Sequence, residues 1–178
     1  KMKRSGNVIG MSWAESPDGP WHRYDKPILK PGNPGEWRDQ NGDDETVSKF
    51  GEWDSHKIHD PYVIVRDGKI WLYYKGQPMG WHMKNSGGIG WGVAFSEKPE
   101  GPFMKSELNP ITNSGHETCL FPWGSGVASI ITHDGPEKDS IQYAEDGINF
   151  KLVSNVTLPP PSAGPFCVDK FSNTKEGT

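Results

Sequence analysis

Two segments of the chain carry the same pattern, and any fold that accommodates both has to be built from like units. Ile9-Gly10 is followed by Ala14, Ser16, a Gly19-Pro20-Trp21 turn and then Pro27-Ile28. Ile89-Gly90 is followed by Ala94, Ser96, Gly101-Pro102-Phe103 and Pro110-Ile111, so the copies are offset by 80 residues at their first isoleucines. A weaker third copy runs from Ile141 to Phe150, with Ala144 in its strand-like run and Gly147 at its turn. Short units recurring in this way cannot bury an apolar face alone and must stack on their neighbours.

The composition makes these units β rather than helical. Gly (22) and Pro (16) are abundant, aromatic residues make up 11%, and hydrophobic residues only 33%, against about 45–50% on a count that includes Gly. Such a chain has many turns and few leucine-rich helical stripes. Between the runs Tyr62-Val63-Ile64-Val65 and Ile70-Trp71-Leu72-Tyr73-Tyr74 stands Asp67-Gly68, a pair suited to a two-residue hairpin turn because both central residues take positive φ. The expectation is an all-β fold of radially arranged four-stranded blades, a β-propeller. The Ala-x-Ser runs would be third strands leading into outer ones, and the first strand of each blade would line a central axis.

The net charge is −4 with both signs dispersed, so no basic stripe is available to a phosphate backbone and nucleic acid is not an expected partner. No run of about 18 apolar residues is present, so no membrane-spanning helix is expected and no membrane partner. Cys119 and Cys167 are expected as buried thiols rather than as metal ligands or a disulfide.

The residues that carry chemistry sit at equivalent points of the repeat. His59-Asp60 follows the first Pro-Ile, past an insertion, and His116-Glu117 follows the second. Both pairs would open the first strand of a blade and face the same axial pocket, which is where a site on a rigid support can be built. Paired carboxylates suit glycoside cleavage, in which one group protonates the leaving oxygen and another activates water. An imidazole, titrating near ~6.5, can also supply a proton near neutrality. Asp39-Gln40-Asn41-Gly42-Asp43 begins like a calcium loop, but Asp44 and Phe50 stand where the loop's Gly and bidentate Glu belong, so a solvated insertion is expected. His56 and His59, three apart on a strand, would point to opposite faces and not share a zinc ion. Trp81, His82 and Trp91 are either core and rim aromatics or flat faces for a sugar.

The ordered set His59-Asp60-Pro61-Tyr62-Val63-Ile64, Asp67 to Gly76, Ile-Gly-x-x-x-Ala-x-Ser with Gly101-Pro102-Phe103, and Ser114-Gly115-His116-Glu117 resembles glycoside hydrolase family 117, over about Val8 to Phe171. These enzymes are α-1,3-(3,6-anhydro-L-galactosidases) that remove the terminal anhydrogalactose from neoagaro-oligosaccharides. The resemblance implies a five-bladed β-propeller, of which about three blades are present here, an inverting mechanism, an oligosaccharide substrate and a homodimeric full-length protein. Carried over by motif, Asp60 would orient the site and tune the acid, His116 would be the general acid, and Glu117 its partner and a ligand to a sugar hydroxyl. His59, Lys75 and Trp91 are expected to bind substrate.

The family's general-base aspartate lies in its first blade, upstream of any segment found here, and the run from Pro159 to Thr178 resembles the lead into its last blade. Residues 1–178 are therefore expected to be a partial propeller catalytic domain that lacks its first and last blades. Its open edge strands would leave the isolated polypeptide unstable and inactive. Agar breakdown implies a periplasmic or secreted bacterial setting. No cofactor is required, although carboxylates and imidazoles converging in a funnel could take a divalent cation. Two other readings remain: a related propeller glycosidase acting on arabinan- or xylan-type glycans, which would use a Glu acid where His116 stands, and a sugar-binding propeller without catalysis. The second would repeat the His-carboxylate pair in every blade, and the third copy lacks it.

Overall fold

The computed structural model describes residues 6–39, 46–84, 86–132 and 135–158, and its regular structure is entirely β. Twelve strands follow one another: β1 (Ser12–Trp13), β2 (His22–Arg23), β3 (Glu36–Trp37), β4 (Val47–Lys49), β5 (Lys57–Arg66), β6 (Lys69–Gln77), β7 (Gly90–Ser96), β8 (Met104–Lys105), β9 (Thr118–Trp123), β10 (Gly126–Ile131), β11 (Ser140–Ala144) and β12 (Lys151–Asn155). They form two four-stranded sheets, β5-β6-β7-β8 and β9-β10-β11-β12, and two pairs, β1-β2 and β3-β4. Each four-stranded sheet is an antiparallel meander in chain order.

The repeat maps onto this architecture. Ala94 lies in β7 and Ala144 in β11, the third strands of successive sheets. The Gly-Pro turns of the first two copies share their backbone: Gly19-Pro20 and Gly101-Pro102 are both cis, after glycines at φ 85° and 91°. The first copy, however, is present only as the two-stranded β1-β2 sheet. Two complete four-stranded units and two two-stranded pairs therefore stand among the described residues, where about three blades were expected.

The β5–β6 hairpin turns at Asp67-Gly68, with φ of 51° and 71°, the left-handed pair that a two-residue turn of this twist demands. β6 is then covered on both faces, which is why its sequence reads as a nearly unbroken apolar run. Leu72 and Tyr74 face a core with Ile9, Leu29, Ile58 and Ala94. Tyr73 faces the other way, into a core with Ile64, Trp91, Val93, Leu120 and Val127 that joins the two large sheets. Each such side chain, fully buried, contributes about 1.5–3 kcal/mol. Polar links reinforce that second layer: the Tyr73 hydroxyl donates to Gly147 O at 2.8 Å and Arg66 Nη2 to Glu145 O at 2.6 Å.

The described residues of the insertion between Pro31 and Asp54 form more than a solvated loop. They form the β3–β4 pair, bury Val47, and end on Asp54, which has no solvent exposure. That carboxylate accepts from Lys105 Nζ at 2.6 Å, the Tyr74 hydroxyl at 3.1 Å and Gly32 N at 3.1 Å, so its burial is matched by partners. Residues 40–45 of the calcium-like stretch, and Cys167, lie outside the described residues. Cys119 is buried in β9.

Candidate active site

The β5–β6 ladder pairs His59 with Lys75 and Tyr62 with Tyr73, so Asp60 and Pro61 together stand opposite Tyr74. This is a bulge, and it re-aims a side chain where a regular strand would not. Asp60 takes φ 51°, a left-handed conformation that Asp tolerates better than most residues but at a cost of about 1 kcal/mol. Pro61, which has no N–H to lose from the ladder, is suited to this place. The result is a half-exposed carboxylate that pairs with Lys75 Nζ through one oxygen and with His59 Nδ1 at 3.3 Å through the other.

The second pair stands just ahead of β9. His116 Nδ1 lies 3.0 Å from Glu117 Oε1, both side chains partly open to solvent. Their loop is braced from three sides. Thr132 N and Oγ1 both donate to Glu117 O, at 3.0 and 3.2 Å; Thr112 Oγ1 donates to Ser114 O at 2.7 Å; Trp91 Nε1 donates to Gly115 O at 2.7 Å. Gly115 is required here: its φ is 121°, and a Cβ would lie 2.4 Å from Thr118 Oγ1 and 2.8 Å from Trp91 Cδ1.

Lys75 joins the two pairs. It sits between His59 on β5 and Trp91 on β7 in one cross-strand row, and its Nζ, besides meeting Asp60, donates to His116 O at 2.9 Å. Burial alone would push the Asp60 carboxyl up, but the hydrogen bond and charge of Lys75, with help from His59, outweigh it and hold the group below the usual carboxylate range. His59 is shifted down by burial first and by the Lys75 charge second, against the opposing pull of Asp60. Its Nε2 is buried without a hydrogen-bond partner, an uncommon state for a native polar atom and one that a ligand group could satisfy. A cavity of about 480 Å³ opens beside His59 and Asp60, lined also by Asn7, Val8, Ile9 and Ile58. Two wider grooves of about 630 Å³ are mostly apolar and reach neither pair; one lies at Trp71, Phe95 and Met104, the other at Phe121, Trp123 and Tyr143.

Of the residues named from sequence, Asp60, His59, Lys75, His116 and Glu117 are brought together. Two of the expected substrate contacts are buried and bonded within the protein. Trp91 is 2% exposed, and its indole packs in the core between the sheets and donates to Gly115 O. The Lys75 side chain is 3% exposed and its ammonium is engaged by Asp60 and His116 O. His56 packs edge-on against Trp37, centroids 5.6 Å apart, away from the Asp60 contact of His59. Among the described residues no group of three or more His, Cys, Asp or Glu could hold a metal ion. Thr132, whose bonds to Glu117 O complete the loop, has no sequence signature, since a lone Thr after an apolar strand carries no distinguishing signal.

These features define a repeat-built all-β protein with one polar site shared by successive sheets. Among solved structures the chain is similar to Zg3597, a family 117 glycoside hydrolase produced by the marine bacterium Zobellia galactanivorans, at 38% identity over 96% of this chain, with a TM-score of 0.69. The chain belongs to glycoside hydrolase family 117. It spans 43% of the length of Zg3597. Fainter likeness extends to a thermostable family-43 glycoside hydrolase (20% identity over 87% of this chain and 69% of that one, TM-score 0.39) and to a mutant of the family 43 protein BlXynB from Bacillus licheniformis (14%, 87% and 40%, TM-score 0.37). At those scores neither bears on the assignment. No protein-family model and no curated protein matches the chain.

Proposed function

We propose that the full-length protein is an inverting glycoside hydrolase that removes non-reducing-end 3,6-anhydro-L-galactose from neoagaro-oligosaccharides, on a five-bladed β-propeller to which this chain contributes the Asp60 and His116 sides of the site. The observation that carries the reading is that one buried ammonium, Lys75 Nζ, meets both the Asp60 carboxylate and the backbone carbonyl of His116, at the start of the His116-Glu117 pair. His116 is the general acid. Glu117 engages Nδ1, which leaves Nε2 to carry the proton toward the leaving oxygen as the glycosidic C–O bond breaks. Water attacks the anomeric carbon from the opposite face and loses its proton to a base carboxylate, which an inverting enzyme holds about 6.5–9.5 Å from the acid. We assign that base to a segment outside this chain. Asp60 is the carboxylate that orients the site, and His59 contacts the sugar through the Nε2 that has no protein partner.

The test is release of 3,6-anhydro-L-galactose from neoagarobiose by the full-length protein and by its His116→Ala variant. Activity in the first, with kcat lowered about 100-fold or more and KM little changed in the second, is the expected result for a general acid. Equal losses in kcat and in substrate binding would remove His116 from that role. Hydrolysis of arabinan or xylan fragments instead would move the protein to the related-glycosidase reading.

A further inference from the structure

Lys75 touches both halves of the site. Its row in the sheet explains how. His59, Lys75 and Trp91 are directly opposite one another on β5, β6 and β7. From that row Lys75 and Trp91 reach across to the neighbouring sheet and donate to successive carbonyls of one loop, Nζ to His116 O at 2.9 Å and Nε1 to Gly115 O at 2.7 Å. β5–β8 and β9–β12 share no strand pairing. The relative placement of Asp60, on one sheet, and His116, ahead of the other, therefore depends on side chains that cross between them. Lys75 is the crossing that ends on both.

We propose that Lys75 is a positioning residue, not a sugar contact: it ties the backbone of the His116 loop to the Asp60 bulge, so that the proton donor and the Asp60 carboxylate keep one relative geometry. The catalytic consequence rests on the glycosidase reading above; the mechanical coupling does not. Lysine suits the task because its ammonium offers three donors on a long stem, and burying that charge is tolerable only where a carboxylate and a carbonyl complete its shell. The charged and titratable groups that act on Asp60 are Lys75 on β6 and His59 on β5, and Lys57 on β5 acts in turn on His59. Removing the Lys75 cation withdraws the strongest influence that holds Asp60 ionised.

The experiment has two arms in the full-length protein. In the kinetic arm, Lys75→Met, which keeps the buried stem and removes the ammonium, is expected to lower kcat about 100-fold through misplacement of the acid, leave KM within about two-fold, and move the acidic limb of the pH profile upward. A raised KM at unchanged kcat would make Lys75 a sugar contact and overturn the proposal. In the spectroscopic arm, Asp60→Asn is expected to shift the backbone amide resonances of His116 and Glu117, and to lose that effect in the Lys75→Met background. Shifts of the same size in both backgrounds, or none in either, would overturn it. If Lys75→Met does not fold, Asp60→Asn alone decides, because an unmoved His116 amide refutes the tie. Failure of the wild-type protein to cleave neoagarobiose would refute the functional reading only, and the spectroscopic arm would still decide the coupling.

Discussion

Trp91 and Gly115 meet through one 2.7 Å hydrogen bond, in which an indole 2% exposed in the core between two sheets donates to the carbonyl immediately ahead of His116. A residue that looks like a sugar platform in the sequence is thus part of the support of the acid's loop. Its ring fills the core, its indole N–H holds the loop, and its backbone N donates to Thr112 Oγ1 at 3.1 Å.

Replacing Trp91 with Phe separates these two functions. The smaller ring keeps most of the apolar contact but leaves Gly115 O without its donor, so a loss of about 1–3 kcal/mol in stability is expected. Activity of the full-length protein should fall further than this loss explains, because the freed carbonyl precedes His116. Denaturant titration beside steady-state kinetics checks it; a destabilised variant with wild-type kcat would show that the bond serves stability alone.

Gly115→Ala probes the same loop from the other side. The added methyl would have to occupy space within 2.4 Å of Thr118 Oγ1 at a φ of 121°, a region open to Gly and hostile to Ala. Such strain costs on the order of 1–3 kcal/mol, and relief by shifting the loop would carry His116 away from Lys75. A lowered melting temperature together with a lost His116 amide environment is the expected outcome. A variant with native melting and native spectra would show that the loop adapts freely.

Much of the fold was legible because its signals are local. Asp67-Gly68 demands positive φ at both positions and takes it, and the Ala-bearing runs recur as third strands because the repeat conserves a topological position within the unit. The site was legible as a set of residue types, two His-carboxylate pairs at the starts of first strands. What the sequence concealed was which face of β6 and β7 turns toward the next sheet. Lys75 and Trp91 could each line a funnel or cross between layers, and only the stacking of Tyr73, Val93 and Leu120 on that side decides for the second. The bulge at Asp60 was hidden too, since Pro61 merely permits it and the pairing of His59 with Lys75 and Tyr62 with Tyr73 imposes it. The insertion reads as polar, yet its anchor is the buried Asp54, whose partners Lys105 and Tyr74 are remote in sequence.

The pH dependence of stability should have two acid steps, whose signs follow from the site. Burial, followed by the Lys75 charge, lowers the His59 imidazole, so the unfolded chain takes up a proton below about pH 6.5 that the native state resists. Stability therefore falls as pH drops from that value toward the native one. Asp60 is held below the usual carboxylate range; its contribution is present above about pH 4 and is lost as pH falls through the depressed native value. Thermal midpoints at pH 7.5, 5.5 and 3.5 read both steps. His59→Gln should flatten the first interval and leave most of the second, because Lys75 is the larger influence on Asp60, and an unchanged slope between pH 7.5 and 5.5 would assign that step to another group.

The joint between the large sheets gives the last prediction. Tyr73 is fully buried and its hydroxyl donates to Gly147 O at 2.8 Å, while burial raises its phenol well above the ordinary range and so favours the neutral donor form. Tyr73→Phe keeps the ring in the core with Val93 and Leu120 and removes only the hydroxyl. The carbonyl of Gly147 then loses its bond, at a cost of about 1–3 kcal/mol. Because this contact lies on the same inter-sheet face as Lys75 but does not touch the His116 loop, the variant should lose stability while keeping kcat and the His116 amide position. A fall in kcat comparable to that of Lys75→Met would mean that the packing of the two sheets as a whole, rather than the Lys75 tie, sets the placement of the acid.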